Sequence, residues 1–242
     1  MQEKGFRRSA SGIFALSVLV TLLLFSHTAR AGSPELDARH LVDKAKFSLE
    51  TFMEAREMEA FRNLLKSARG LYIAPQVLRG AFIFGASGGS GVLIARDGAE
   101  NKWIGPAFYT IGNVSFGLQI GGDASEIILL IMSQRGITAM LGTGMKLGAD
   151  LSVALGPVGM GAQASTANLS ADIIAFSRSK GLYGGISVDG AIVAVRESLN
   201  SAYYKKPTTP SDIFVVKEVT NPHADDLLNA AAKGAALQPQ NP

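Results

Sequence analysis

The sequence predicts an α+β domain: a strongly bent antiparallel sheet of roughly eight short strands, an N-terminal helical pair and C-terminal helices. Three observations carry this. Apolar residues recur at helical spacing between Leu36 and Ala68, the pattern changes from Leu71 to Val195 into short runs cut by glycine, and helical signals return from Glu197 onward. The stretch Gly105 to Asp123 shows the strand pattern most clearly. Val114, Phe116, Leu118 and Ile120 alternate with Ser115, Gly117, Gln119 and Gly121, so one face is apolar and the other carries almost nothing larger than a glutamine. Repeated glycine in a strand marks a bend, a bulge or a close approach, so a ligand or another chain can come near that bare face.

Taken in order, Leu41, Val42, Ala45, Leu49, Phe52 and Met53 form one helical stripe. Met58, Phe61, Leu64, Leu65 and Ala68 form another, rotated about the axis, so two helices or one kinked helix are expected, with the break near Glu54 to Glu57. Gly70 is placed to end the second segment as a C-cap. Asp97-Gly98 signals a turn between Val92–Arg96 and the strand that starts at Trp103, and neighbouring strands of this kind pair antiparallel. Ile127 to Met132 is continuously apolar, which predicts a central strand covered on both faces, and Arg135 to Leu141 follows as a short helix. Leu151, Val153 and Leu155, then Ile174 and Phe176, then Ile192 and its neighbours supply further strands. Glu197 to Tyr204 reads as a helix ended at Lys205-Lys206-Pro207, and Pro210 and Pro222 each follow a Thr or Asn cap that opens a C-terminal helix.

Lys4, Arg7 and Arg8, the apolar run Ile13 to Phe25 and Ala29-Arg30-Ala31 predict a cleavable secretory leader over residues 1–31, removed after Ala31. Both the general secretory and the twin-arginine routes fit this leader. The remaining residues, 32–242, read as one domain with a core at about 36–205, helices over 206–234 and a loose tail over 235–242, located in the periplasm or outside the cell. The chain has 23 basic and 20 acidic residues; the leader takes four basic residues and one acid, which leaves 19 of each. A neutral domain has no broad basic field, so nucleic acid is not an expected partner, and attraction to anionic lipid must come from a local patch.

There is no cysteine, and the domain after the leader holds only His40 and His223, both in contexts that read as solvated helix faces. Neither a Cys/His nucleophile pair nor a zinc cluster can be assembled, and no cofactor or metal is expected. Asp123 with Glu126, or Asp150 with Asp172, are the carboxylate pairs that could serve hydrolysis, although acids at strand ends and turns commonly accept backbone hydrogen bonds instead. Gly85-Ala-Ser-Gly-Gly-Ser-Gly91 lacks the lysine and the helix of a phosphate loop and reads as a glycine-rich hairpin turn; Gly156-Pro-Val-Gly-Met-Gly161 reads likewise as a loop. Basic residues beside apolar ones are the candidates for lipid contact: Lys44 and Lys46 around Phe47, and Arg178 and Lys180 before Leu182 and Tyr183.

Ala68-Arg-Gly-Leu-Tyr-Ile-Ala-Pro75, Gly80-Ala-Phe-Ile-Phe-Gly85, Gly91-Val-Leu-Ile-Ala-Arg96, Trp103, Pro106-Ala-Phe-Tyr-Thr110, Phe116-Gly-Leu-Gln-Ile-Gly121 and Ser177-Arg-Ser-Lys-Gly-Leu-Tyr183 resemble the ordered signature of the SYLF lipid-binding domain. The resemblance spans most of the chain after its leader. It implies a non-enzymatic lipid-binding domain; eukaryotic members bind phosphoinositides and some bind or bundle actin, while bacterial members are mostly exported single-domain proteins. The leader takes this product away from cytoplasmic actin, so an actin partner is expected only if it acts in a host cell. The resulting expectation is a phospholipid-binding protein of the bacterial cell envelope, in peripheral contact with the membrane through a basic and apolar patch or through a groove bordered by the glycine face. An outer-membrane barrel lacks the long, evenly spaced strands and aromatic girdles it would need. An exported hydrolase using paired carboxylates and an envelope module that binds a partner protein through a sheet edge stay open as alternatives.

Overall fold

The computed structural model describes residues 33–81, 84–116, 121–159, 170–185 and 188–236, with side chains other than those of 81, 84–85, 114–116, 121–122 and 185. The leader, the last six residues and Gly117–Ile120 lie outside the described residues. So do most side chains of the alternating segment, and with them the expected bare glycine face.

Helix α1 (Pro34–Glu54) and helix α2 (Glu59–Leu65) are separated by one 3-10 turn, Arg56–Met58. The break expected between Glu54 and Glu57 is therefore present. Arg62 fixes it, because its guanidinium donates to the carbonyls of Met53 at 3.0 Å and Ala55 at 2.6 Å, and so provides partners for groups that the end of α1 leaves unpaired. Gly70 is not a helix cap. It opens strand β1 (Gly70–Ala81), where a Cβ would lie 2.6 Å from Ile137 Cδ1, a side-chain end able to turn aside, and 3.3 Å from the Ile94 carbonyl oxygen.

Strands β2 (Phe84–Asp97), β3 (Lys102–Phe116) and β4 (Gly121–Ile131) follow, then helix α3 (Gln134–Met140) and strands β5 (Gly144–Lys146), β6 (Val153–Leu155), β7 (Ile173–Ser179), β8 (Leu182–Gly185) and β9 (Ile192–Val195). The nine strands form one strongly curled sheet in the order β5-β9-β3-β2-β1-β4-β7-β6, with β8 also on β7. The α+β class is as expected, with one addition: β6 runs parallel to β7, whereas the other pairs are antiparallel. Helix α4 (Glu197–Tyr204) and helix α5 (Asp225–Ala236) are the last two α-helices among the described residues. Asn221 accepts from the His223 N–H as the cap before Pro222, as its sequence predicts. Pro210 opens a short helical segment over residues 210–216 that ends as a π turn, Asp212–Val216, and the Thr209 hydroxyl accepts the Asp212 N–H at 3.3 Å as its cap.

The central strands are buried on both faces. Leu71, Ile73, Val92, Ile94, Ile128, Leu130, Ile174 and Phe176 point into a core shared with α1, α2, α4 and α5. Their neighbours Tyr72, Ala74, Leu93, Ala95, Ile127, Leu129, Ile131, Ile173 and Ala175 point into a second core, closed by α3 and the segments around Met145, Leu151 and Phe214. A strand with apolar layers on both sides carries no polar alternation, which explains the continuous run Ile127–Ile131.

Gly85–Gly91 is a correction to the sequence reading. It lies within β2 rather than in a turn. A Cβ at Gly89 would stand 2.3 Å from the Gln76 carbonyl oxygen, and one at Gly91 would stand 2.6 Å from the Ile73 carbonyl oxygen and the Tyr72 ring. The glycines let β2 follow an irregular neighbour. That neighbour is β1 at Pro75, where the ladders to β2 and to β4 both shift register. Proline has no N–H to give a ladder, so a proline within a central strand forces such a bulge.

Candidate functional site

The bulge opens a cleft between α1 and the sheet. Its volume is about 550 Å³, and its lining includes Lys44, Phe47 and Thr51 from α1, Pro75 and Gln76 from β1, Glu126 from β4, and Arg178, Lys180 and Gly181 at the β7–β8 end. Thus four of the six residues selected as lipid contacts, Lys44, Phe47, Arg178 and Lys180, meet around one opening. Lys180 and Gly181 both have positive φ, at 51° and 77°, as a two-residue hairpin requires, and this tight turn carries Lys180 to the cleft margin. Phe47 is 62% exposed, and Leu182, next to Gly181 in the chain, is 76% exposed.

Arg178 is not free. In the β4–β7 ladder it stands directly opposite Glu126, and the two form an ion pair across the strands. Opposite charges at directly paired positions favour that register. Arg178 also stands opposite Tyr183 in the β7–β8 ladder. Tyr183 is a tether: its hydroxyl donates to the Thr51 carbonyl at 3.2 Å, and its ring meets Phe52 edge-on at 5.2 Å. Lys46 lies beside the cleft rather than in it, bound to Asp226 at 3.4 Å and 3.8 Å from Glu50, with its ammonium 5.6 Å from the Phe47 ring centroid. Lys44 and Lys180 have no ion pair with any described residue and are the cations available to an incoming anion.

Three of the four carboxylates in the candidate pairs are engaged by protein donors, while Asp123 has one oxygen, Oδ1, buried without a hydrogen-bond partner. Asp172 accepts from Arg135, from the Ser133 hydroxyl at 2.6 Å, and from the Ser152 hydroxyl and N–H at 2.7 and 3.0 Å. The Arg135 guanidinium chiefly, helped by these serine donors against the effect of burial, holds the Asp172 carboxyl well below the usual carboxylate range. Asp150 accepts the Lys146 N–H at 2.7 Å. Glu126 serves Arg178. His223 is a further correction: its ring is not on a solvated face but is shared between the Tyr203 hydroxyl at 3.2 Å and Asp43 at 3.3 Å. Among the described residues, no cluster of His, Cys, Asp or Glu could hold a metal ion.

Gln76 and Thr51 were not identified from the sequence, and Glu126 was singled out there only as a hydrolytic carboxylate, not as a wall of this cleft. Their signal was Pro75, a proline inside the apolar run Leu71–Val77, which marks where the sheet must open.

The family model Ysc84, described as Las17-binding protein actin regulator, matches residues 112–234. Protein YSC84 of Saccharomyces cerevisiae is 33% identical over 170 residues, covering 68% of this chain and 36% of its own length. SH3 domain-containing YSC84-like protein 1 of Homo sapiens is 30% identical over 167 residues, covering 68% of this chain and 48% of its own. LAS seventeen-binding protein 3 of Saccharomyces cerevisiae is 30% identical over 169 residues, at 68% and 36% coverage. The chain therefore spans only about a third to a half of these curated relatives. With the family model covering half of its length and the ordered signature words in place, this chain belongs to the Ysc84/SYLF family.

Proposed function

We propose that the domain is a non-enzymatic lipid-binding module that adsorbs to a phospholipid surface through the cleft between α1 and the β7–β8 turn, outside the cytoplasm once its leader is removed. The supporting observation is the convergence of Lys44 and Phe47 with Arg178 and Lys180 from the far end of the chain; the Tyr183–Thr51 hydrogen bond that joins the two segments spans 132 residues. Each cation near an anionic surface contributes about 1 kcal/mol. Burial of the Phe47 ring adds about 2 kcal/mol, so the total suits weak, reversible adsorption rather than anchoring.

Co-sedimentation of the protein with vesicles tests this reading. Binding should rise when anionic lipid is added to phosphatidylcholine vesicles, fall with salt, and fall again in a Lys44→Glu/Lys180→Glu double variant. Absence of binding to every lipid mixture at low salt removes the proposal.

A second reading has separate support. The family description and one relative's name specify Las17 binding, and β5 stands at one end of the sheet with Gly144 and Lys146 exposed. Lys146 on that edge already donates its N–H to the Asp150 carboxylate and accepts the Asp150 N–H at its carbonyl, at 2.7 and 2.9 Å, so an added strand would pair beside Gly144 or displace this turn. Co-sedimentation with filamentous actin in the absence of lipid separates this reading from the first.

A further inference from the structure

We infer that the cleft selects a zwitterionic head group of the phosphoethanolamine type, its phosphate held by Lys44, Lys180 and Arg178 and its primary ammonium received by Glu126. This rests on the lipid-binding reading and names the head-group chemistry of the same cleft.

The lining combines three cations, Lys44, Arg178 and Lys180, with one carboxylate, Glu126. A purely anionic head group therefore meets attraction and repulsion in the same opening. Glu126 is also only half satisfied. Arg178 pairs with Oε1, while Oε2 is shut off from solvent and has no hydrogen-bond partner. An unpaired carboxylate oxygen is more unfavourable than an unpaired neutral group, and a donor reaching the carboxylate as it turns relieves it. The Pro75 bulge gives access, because both ladders of β1 slip beside the β4 segment that carries Glu126.

Charge balance then decides between head groups. When a phosphate draws on Arg178, the Glu126 charge loses part of its compensation unless the ligand brings a cation of its own. Phosphoglycerol brings none. Phosphocholine brings a charge without an N–H donor, whereas a primary ammonium brings both. The same chemistry is offered by a membrane lipid and by soluble O-phosphoethanolamine, and the experiment distinguishes them.

The full chain is titrated with vesicles of phosphatidylcholine alone, with added phosphatidylethanolamine, and with added phosphatidylglycerol, and separately with soluble O-phosphoethanolamine, phosphocholine and glycerol 3-phosphate. The ethanolamine head group should bind on the order of tenfold more tightly than either alternative, as expected for one additional charge-assisted hydrogen bond. Glu126→Gln should abolish that preference and strengthen binding to phosphatidylglycerol, while Glu126→Asp should keep the wild-type order; circular dichroism melts establish that both variants fold. The wild-type order of affinities decides the matter even if neither variant folds. Phosphatidylglycerol vesicles bound as well as ethanolamine vesicles, or a folded Glu126→Gln variant with unchanged preference, overturn this inference and leave the lipid-binding reading standing. Binding of soluble O-phosphoethanolamine without any vesicle binding supports the selectivity and overturns the membrane reading. No binding of vesicles or of any soluble head group overturns both.

Discussion

Around Leu71, Tyr72 and Leu129 the sheet is enclosed by two apolar cores and both β1 ladders run in register; at Pro75 and Gln76, on the same β1 strand, the register slips, and a polar cleft with a half-satisfied carboxylate takes over. The contrast shows how one strand provides both stability and a site. Where side chains alternate between two apolar layers, each residue contributes burial and little is free to bind. Where a proline interrupts the ladder, packing is given up locally, and the space is lined by groups from α1, β4 and β7 that would otherwise be far apart.

The largest effect that sharpens this contrast lies in the enclosed region. Phe61 is fully buried, with its ring 5.7 Å from that of Phe52 and 5.3 Å from that of Phe176. Phe61→Ala should cost about 3–5 kcal/mol in urea unfolding. A cost below about 1 kcal/mol would show that this core is not close-packed.

Asp172 comes next. Its folded-state pKa is lowered, so it contributes stability above its unfolded pKa of about 4, and that contribution is lost as pH falls through the folded value. Asp172→Asn should lower stability at neutral pH by about 1–3 kcal/mol and flatten the acid limb of the melting curve. An unchanged acid limb would mean that other carboxylates set it.

Gly91→Ala probes the boundary between the two regions, because its methyl group would press on the Ile73 carbonyl and the Tyr72 ring. About 1–3 kcal/mol of destabilisation is expected. The smallest effect on stability belongs to the cleft margin: Phe47→Ala should change unfolding by less than about 0.5 kcal/mol while reducing vesicle binding. Loss of stability without loss of binding would assign Phe47 to the fold instead.

The enclosed region was largely legible in the sequence because its signals are local. The phase change between Phe52 and Met58 marks the helix break, and the run from Ile127 marks the doubly covered strand. The cleft was legible only in pieces. Lys44, Phe47, Arg178 and Lys180 were each noticed for a local pattern, but nothing in the order of residues says that Glu126 pairs with Arg178 52 positions later, since that depends on strand register. The glycines of β2 were read as a turn because their cause, the bulge in β1, lies on another strand. His223 was misread because its partners, Asp43 and Tyr203, come from two other helices.

The most direct measurement is backbone amide NMR of the protein titrated with lipid nanodiscs. The account predicts that the shifted and broadened resonances gather at Phe47, Thr51, Gln76, Glu126, Lys180 and Gly181, with the β5–β9 edge unchanged. Perturbations confined to that edge, with the cleft resonances untouched by bound lipid, would contradict it.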